Sequence, residues 1–125
     1  MKQRFMFLVV LMLAVSTSLW AADKMKKEKE VSLKGEVVDV ACYIAQGARG
    51  DKHKDCAEAC AKAGGALGIL TKEGKLYVSL LPDDHAAGPN AMLMDYIAQD
   101  VVAKGFVRSK GGVNAIMIKS VEAAK

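Results

Sequence analysis

The sequence lacks the short motifs that mark common enzyme sites. It has no GxSxG, no HExxH, no phosphate-binding loop and no dinucleotide-binding glycine pattern. It also has no CxxCH, which excludes covalently attached c-type haem. Non-covalent haem or iron ligation by His53 or His85 is less expected than zinc or copper. These absences favour a protein without catalytic turnover.

The chain has only one long apolar run, and that run is too short for a comfortable membrane span. Residues 1–22 begin with Lys2 and Arg4, continue through the apolar residues 5–15 and end in two alanines. This order is typical of a secretory signal peptide, with cleavage after Ala21 or Ala22. An uncleaved anchor is the alternative. We therefore predict a periplasmic or secreted protein that keeps no stable membrane anchor.

A strong charge of one sign is also absent. Removing Lys2 and Arg4 with the signal lowers the formal net charge from +4 to +2. Such a weak excess of positive charge does not favour a nucleic-acid partner. We interpret residues 23–30 as a charged, disordered leader and residues 31–122 as a single domain. A domain of this size has a marginal core, so a metal or a disulfide would help it to fold.

The domain has the alternating apolar pattern of strands. Strands are predicted over residues 31–40, with a bend at Gly35, and over 66–71, 75–81, 101–108 and 113–121. Residues 44–52 are predicted to be a loop, and residues 54–63 a helix with Asp51 as its N-cap. Residues 91–98 are predicted to form a second short helix, with Leu93 or Met92 and Ile97 facing the core.

This order of elements resembles the OB-fold of small secreted bacterial barrels that carry a Cys/His-bearing insertion after strand one. The later half carries the pattern at Tyr96, Ile97, Val101, Gly105, Val107, Gly111, Gly112, Val113, Ala115 and Ile116. The resemblance implies a mainly β fold, a small five-stranded OB-like barrel with one or two short inserted helices. Only Tyr77 and Phe106 are strand aromatics, so base stacking and nucleic-acid binding are not expected.

Every cysteine of the chain lies in residues 40–65, together with one of its two histidines. On a helix, His53, Cys56 and Cys60 stand at i, i+3 and i+7 and so share one face, and Cys42 follows the first strand. Thiolate and imidazole are ligands that suit zinc or copper. The Cys56-x3-Cys60 spacing resembles that of copper-handling proteins, which implies copper as the alternative to zinc. We predict a metal site of Cys42, His53, Cys56 and Cys60.

Two other interpretations of the cysteines stay open. In an oxidising compartment, Cys42 could pair with Cys56 or Cys60 and leave one spare thiol. Such a disulfide would suit an adaptor that binds a periplasmic protein partner through a sheet edge or residues 83–94. A thiol redox protein is the third interpretation, and it requires a depressed cysteine pKa near Lys52 or Lys54.

A second group of soft ligands lies later in the chain. His85, Met92 and Met94 could bind copper(I), although a solvated histidine and core methionines are the commoner outcome. Asp83 and Asp84 precede this histidine and are expected to face solvent. The leading hypothesis is therefore an exported OB-like barrel with a three-cysteine, one-histidine metal site in a structural or carrier role.

Overall fold

The computed structural model describes residues 29–80 and 88–125. The predicted signal peptide, residues 23–28 of the predicted leader and the segment with Asp83, Asp84 and His85 lie outside the described residues. The elements run in the order β1 (Val31–Asp39), α1 (Val40–Gln46), a 3-10 turn (Asp51–His53), α2 (Lys54–Lys62), β2 (Leu67–Thr71), β3 (Leu76–Leu80), a 3-10 turn (Met94–Tyr96), β4 (Asp100–Lys110) and β5 (Val113–Ala123).

The five strands close into a barrel in the order β1-β2-β3-β5-β4. All neighbouring strands are antiparallel except β3 and β5, which are parallel and complete the ring. The predicted mainly β fold, with five strands in a small barrel and short inserted helices, is therefore confirmed. Both helices follow β1, so they lie on the same connection of the barrel.

The first strand pairs with both β2 and β4, and Gly35 is one of the two residues that pair with both. Gly35 pairs with Thr71 of β2 and also with Val101 of β4. A Cβ atom at this position would overlap the backbone of Leu70. Only glycine lets β1 and β2 approach this closely here, and the predicted bend at Gly35 stays a prediction.

The barrel has a core of its own that contains none of the predicted metal ligands. Its largest fully buried apolar side chains are Leu67, Ile69, Leu93, Ile97, Ile116, Val37 and Val101. Leu93 and Ile97 come from the connection before β4, as predicted, while Met92 is exposed. From the two helices, only Ala57 and Ala61 join this core.

Three local predictions were wrong. Residues 44–46, predicted as loop, complete helix α1, which the sequence interpretation missed. Asp51 does not cap α2, because it begins a 3-10 turn and His53 takes the N-cap position without a side-chain hydrogen bond. Residues 91–98 form turns and a 3-10 turn rather than an α-helix. Within the described ranges, no helix has the length and apolar character needed to cross a membrane.

Candidate metal centre

Helix α1 places Cys42 directly above the end of β1. Asp39, the last residue of β1, caps the helix because its Oδ1 accepts a 2.6 Å hydrogen bond from the Cys42 backbone N–H. Gly47 ends the helix at φ 66°, where its N–H donates to the Tyr43 carbonyl. Cys42 therefore lies in the first turn of a short capped helix. The sequence interpretation had instead placed it at the end of the first strand.

The connection between α1 and α2 brings His53 close to Cys42. Glu36 on β1 accepts a 2.6 Å hydrogen bond from the Gly50 N–H and forms a 3.5 Å ion pair with Arg49. These two contacts hold the loop against the outside of the barrel. The Asp51–His53 turn follows at once, so His53 ends beside the first strand instead of inside helix α2.

Helix α2 carries the other two cysteines on its outer side. Ala57 and Ala61 face the barrel, whereas Cys56 is exposed and Cys60 is half-buried. After the helix, the Gly65 N–H donates to the Cys60 carbonyl at 2.8 Å. A side chain at Gly65 would come within 2.8 Å of that carbonyl oxygen, so a glycine is needed for the tight return to β2.

The four predicted ligands meet in two overlapping groups rather than in one. The ligand atoms of Cys42, His53 and Cys56 all lie within 4.8 Å of one another. Cys60 belongs to a second group, in which its Sγ, the Cys42 Sγ and a carboxylate oxygen of Asp39 lie within the same distance. Cys42 is common to both groups, so it stands at the centre of the cluster.

Two buried polar atoms at this cluster lack a hydrogen-bond partner. They are Nε2 of His53 and Oδ2 of Asp39, and no other buried side-chain nitrogen or oxygen of the described residues is unpartnered. Both residues also line one small cavity beside the site. Buried polar atoms are almost always satisfied in proteins, and coordination of a cation is one way in which these two could be satisfied.

Two thiols of the cluster, those of Cys42 and Cys60, have raised pKa values. Hydrogen bonding to the Asp39 carboxylate, with burial and the nearby charges of Asp39, Cys60 and Cys56, raises the pKa of Cys42 to about 12. Burial, followed by the charge of Cys56, raises the pKa of Cys60. Reactive thiols need the opposite shift, so these two positions do not meet the requirement of the redox interpretation.

All three cysteines are free thiols, so the predicted alternative of a disulfide from Cys42 is not what the structure contains. Within each group, the separations are near those of metal ligands. Tetrahedral zinc with bonds of about 2.0 to 2.3 Å places neighbouring ligand atoms roughly 3.5 to 3.8 Å apart. The ligand atoms of Cys42, His53 and Cys56 lie within 4.8 Å of one another, a limit about 1 Å above this spacing. The cluster can therefore hold a metal ion.

Asp39 is the functional candidate that the sequence interpretation missed. It is 1% exposed, although it is a carboxylate at the end of a strand. Its odd number places it on the same strand face as Val37, and this register was the available signal for its burial. His85 of the second predicted group lies outside the described residues.

Comparisons with known proteins give this cluster no precedent. No family model, no curated protein and no solved structure matches the chain.

Proposed function

We propose that this protein is exported and binds zinc or copper through Cys42, His53, Cys56 and Cys60, as a metal carrier without catalytic turnover. The observation that carries the proposal is the approach of Cys42, His53 and Cys56 to within 4.8 Å, with Nε2 of His53 buried and unpartnered. Thiolate and imidazole together are the donor set of zinc and copper sites.

A carrier role fits the position of the cluster better than a structural role. The barrel core is complete without the cysteines and His53, so an ion is not needed to close it. Cys56 is exposed, and an exposed thiolate is open to attack by a ligand from another protein. Carriage implies a recipient, and for an exported protein we propose a periplasmic metalloprotein as the partner.

The proposed export is a further reason to expect that the cysteines bind a metal ion. The N-terminal pattern of residues 1–22 is that of a signal peptide, and exported cysteines usually pair in the oxidising compartment. Three unpaired thiols close together would be vulnerable to oxidation there. Coordination of their thiolates to a metal ion would keep these cysteines from forming disulfides.

The test uses the chain's only two histidines as a matched pair. Zinc and copper(I) affinities are measured by competition with a chromophoric chelator on protein purified from the periplasm. His53→Ala should weaken binding at least about 100-fold, because losing an outer-shell partner alone costs 10–100-fold. His85→Ala should leave the affinity unchanged. Equal affinities for His53→Ala and the unmodified protein, or no binding at all, would refute the proposal.

A further inference from the structure

The cluster offers more ligands than one ion of a usual zinc site needs. Five side chains converge, and they divide into two groups of three that share only Cys42. One group adds His53 and Cys56, and the other adds Asp39 and Cys60. Each group has three members, the number of protein ligands that leaves one position open on a tetrahedral ion.

The second group has its own evidence of a missing ligand. Asp39 is 1% exposed, and its Oδ1 is used by the Cys42 N–H, while Oδ2 has no hydrogen-bond partner. No ion pair is found for Asp39 among the described residues. A buried carboxylate oxygen without a partner is costly, and coordination of a cation removes that cost.

The first group has an equivalent orphan in Nε2 of His53. The residues that carry the two unpartnered atoms therefore belong to different groups, although both also line the same small cavity. One ion bound by His53, Cys56 and Cys42 would satisfy the imidazole and leave the Asp39 oxygen unexplained. Two ions satisfy both atoms.

Charge balance leads to the same number. Three thiolates, one carboxylate and a neutral imidazole carry a total charge of −4 when all are ligands. Two divalent ions neutralise it.

We propose that the Cys42 thiolate bridges two divalent ions, one held with His53 and Cys56 and the other with Asp39 and Cys60. This inference rests on the proposed function, that the cluster binds metal. It makes Asp39 both the cap of α1 and a metal ligand, so the start of the helix and the second ion are fixed by the two oxygens of one side chain.

The probe is zinc alone, and the readout is the number of ions per chain in native mass spectrometry of the periplasmic protein. The unmodified protein should bind two zinc ions, and Asp39→Asn should bind one. The asparagine Oδ1 can still cap α1, but its amide nitrogen cannot replace the Oδ2 ligand. Asp55→Asn is the matched control, because Asp55 is exposed in the first turn of α2, and it should retain two ions.

Cobalt(II) spectra of a second variant keep the test decisive if Asp39→Asn does not fold. Thiolate-to-cobalt absorbance should rise up to two equivalents in the unmodified protein and stop at one in Cys60→Ala. A single ion in the unmodified protein, or two in Asp39→Asn, would overturn the bridged pair and leave the proposed function standing. No bound ion in any sample would overturn both.

Discussion

The ion should hold the two helices to the barrel rather than hold the barrel together. Helix α1 has no buried residue, and α2 buries only Ala57 and Ala61. Each buried methyl group contributes on the order of 0.8 kcal/mol, and the ion pair between Glu36 and the largely exposed Arg49 adds on the order of 1 kcal/mol. Residues 40–62 are therefore the part of the fold that metal binding should stabilise most.

The expected size of this effect follows from mass action. If zinc binds only when the helices are in place, free zinc at 100 times its Kd raises their opening free energy by about 2.7 kcal/mol. Amide hydrogen exchange by local opening should then slow about 100-fold in α1 and α2. Amides in the paired strands β4 and β5 lie outside the clamped segment and should exchange at the same rate with and without zinc.

Hydrogen-exchange mass spectrometry of the protein, with zinc or with a chelator, measures both regions in one experiment. Cys42→Ser serves as the control, because it removes the residue common to both ligand groups and should abolish the protection. Protection spread evenly over the barrel, or none in residues 40–62, would show that the ion does not bind where the cluster lies.

Other predictions concern the cap, the core and the protons of the site. By urea unfolding, Asp39→Ala should be about 0.5 to 2 kcal/mol less stable than Asp39→Asn, because alanine cannot accept the Cys42 N–H, and equal stabilities would contradict the cap. Ile69→Ala, at a fully buried site, should cost about 2 to 5 kcal/mol. Ile44→Ala, 71% exposed, should cost less than about 0.5 kcal/mol, and similar costs at both sites would contradict the burial. The raised pKa values of Cys42 and Cys60 mean that zinc must displace their protons, so affinity should fall as the pH is lowered. Calorimetry in buffers of different ionisation enthalpy should detect proton release, and none would rule out thiolate ligands.

The strands were predictable because local signals, the alternation of apolar and polar residues and the turn glycines, mark them in the sequence. Alternation predicted β1, and the glycine-containing turn between residues 71 and 75 predicted the β2–β3 hairpin. The helix α1 was missed because its sequence, VACYIAQ, contains β-branched and aromatic residues that continue the strand pattern. Its two caps, Asp39 and Gly47, were the stronger signal, since they stand on either side of a seven-residue helix.

The site was predictable in its cysteines and histidine but not in its grouping. Helical spacing placed His53, Cys56 and Cys60 on one face, yet His53 lies before α2 and Cys60 belongs with Asp39. Spacing alone could not show this, because it depends on where the helix begins and on how the Gly50 loop is held by Glu36. The part played by Asp39 depends on its burial, and burial is set by the packing of distant segments.

X-ray absorption at the zinc edge of the zinc-loaded protein tests most directly whether the cysteines bind the ion. The account predicts sulfur neighbours at about 2.3 Å and nitrogen or oxygen neighbours at about 2.0 Å, with the sulfur signal reduced in Cys42→Ser. A shell of nitrogen and oxygen alone, or a sulfur signal unchanged by Cys42→Ser, would contradict it.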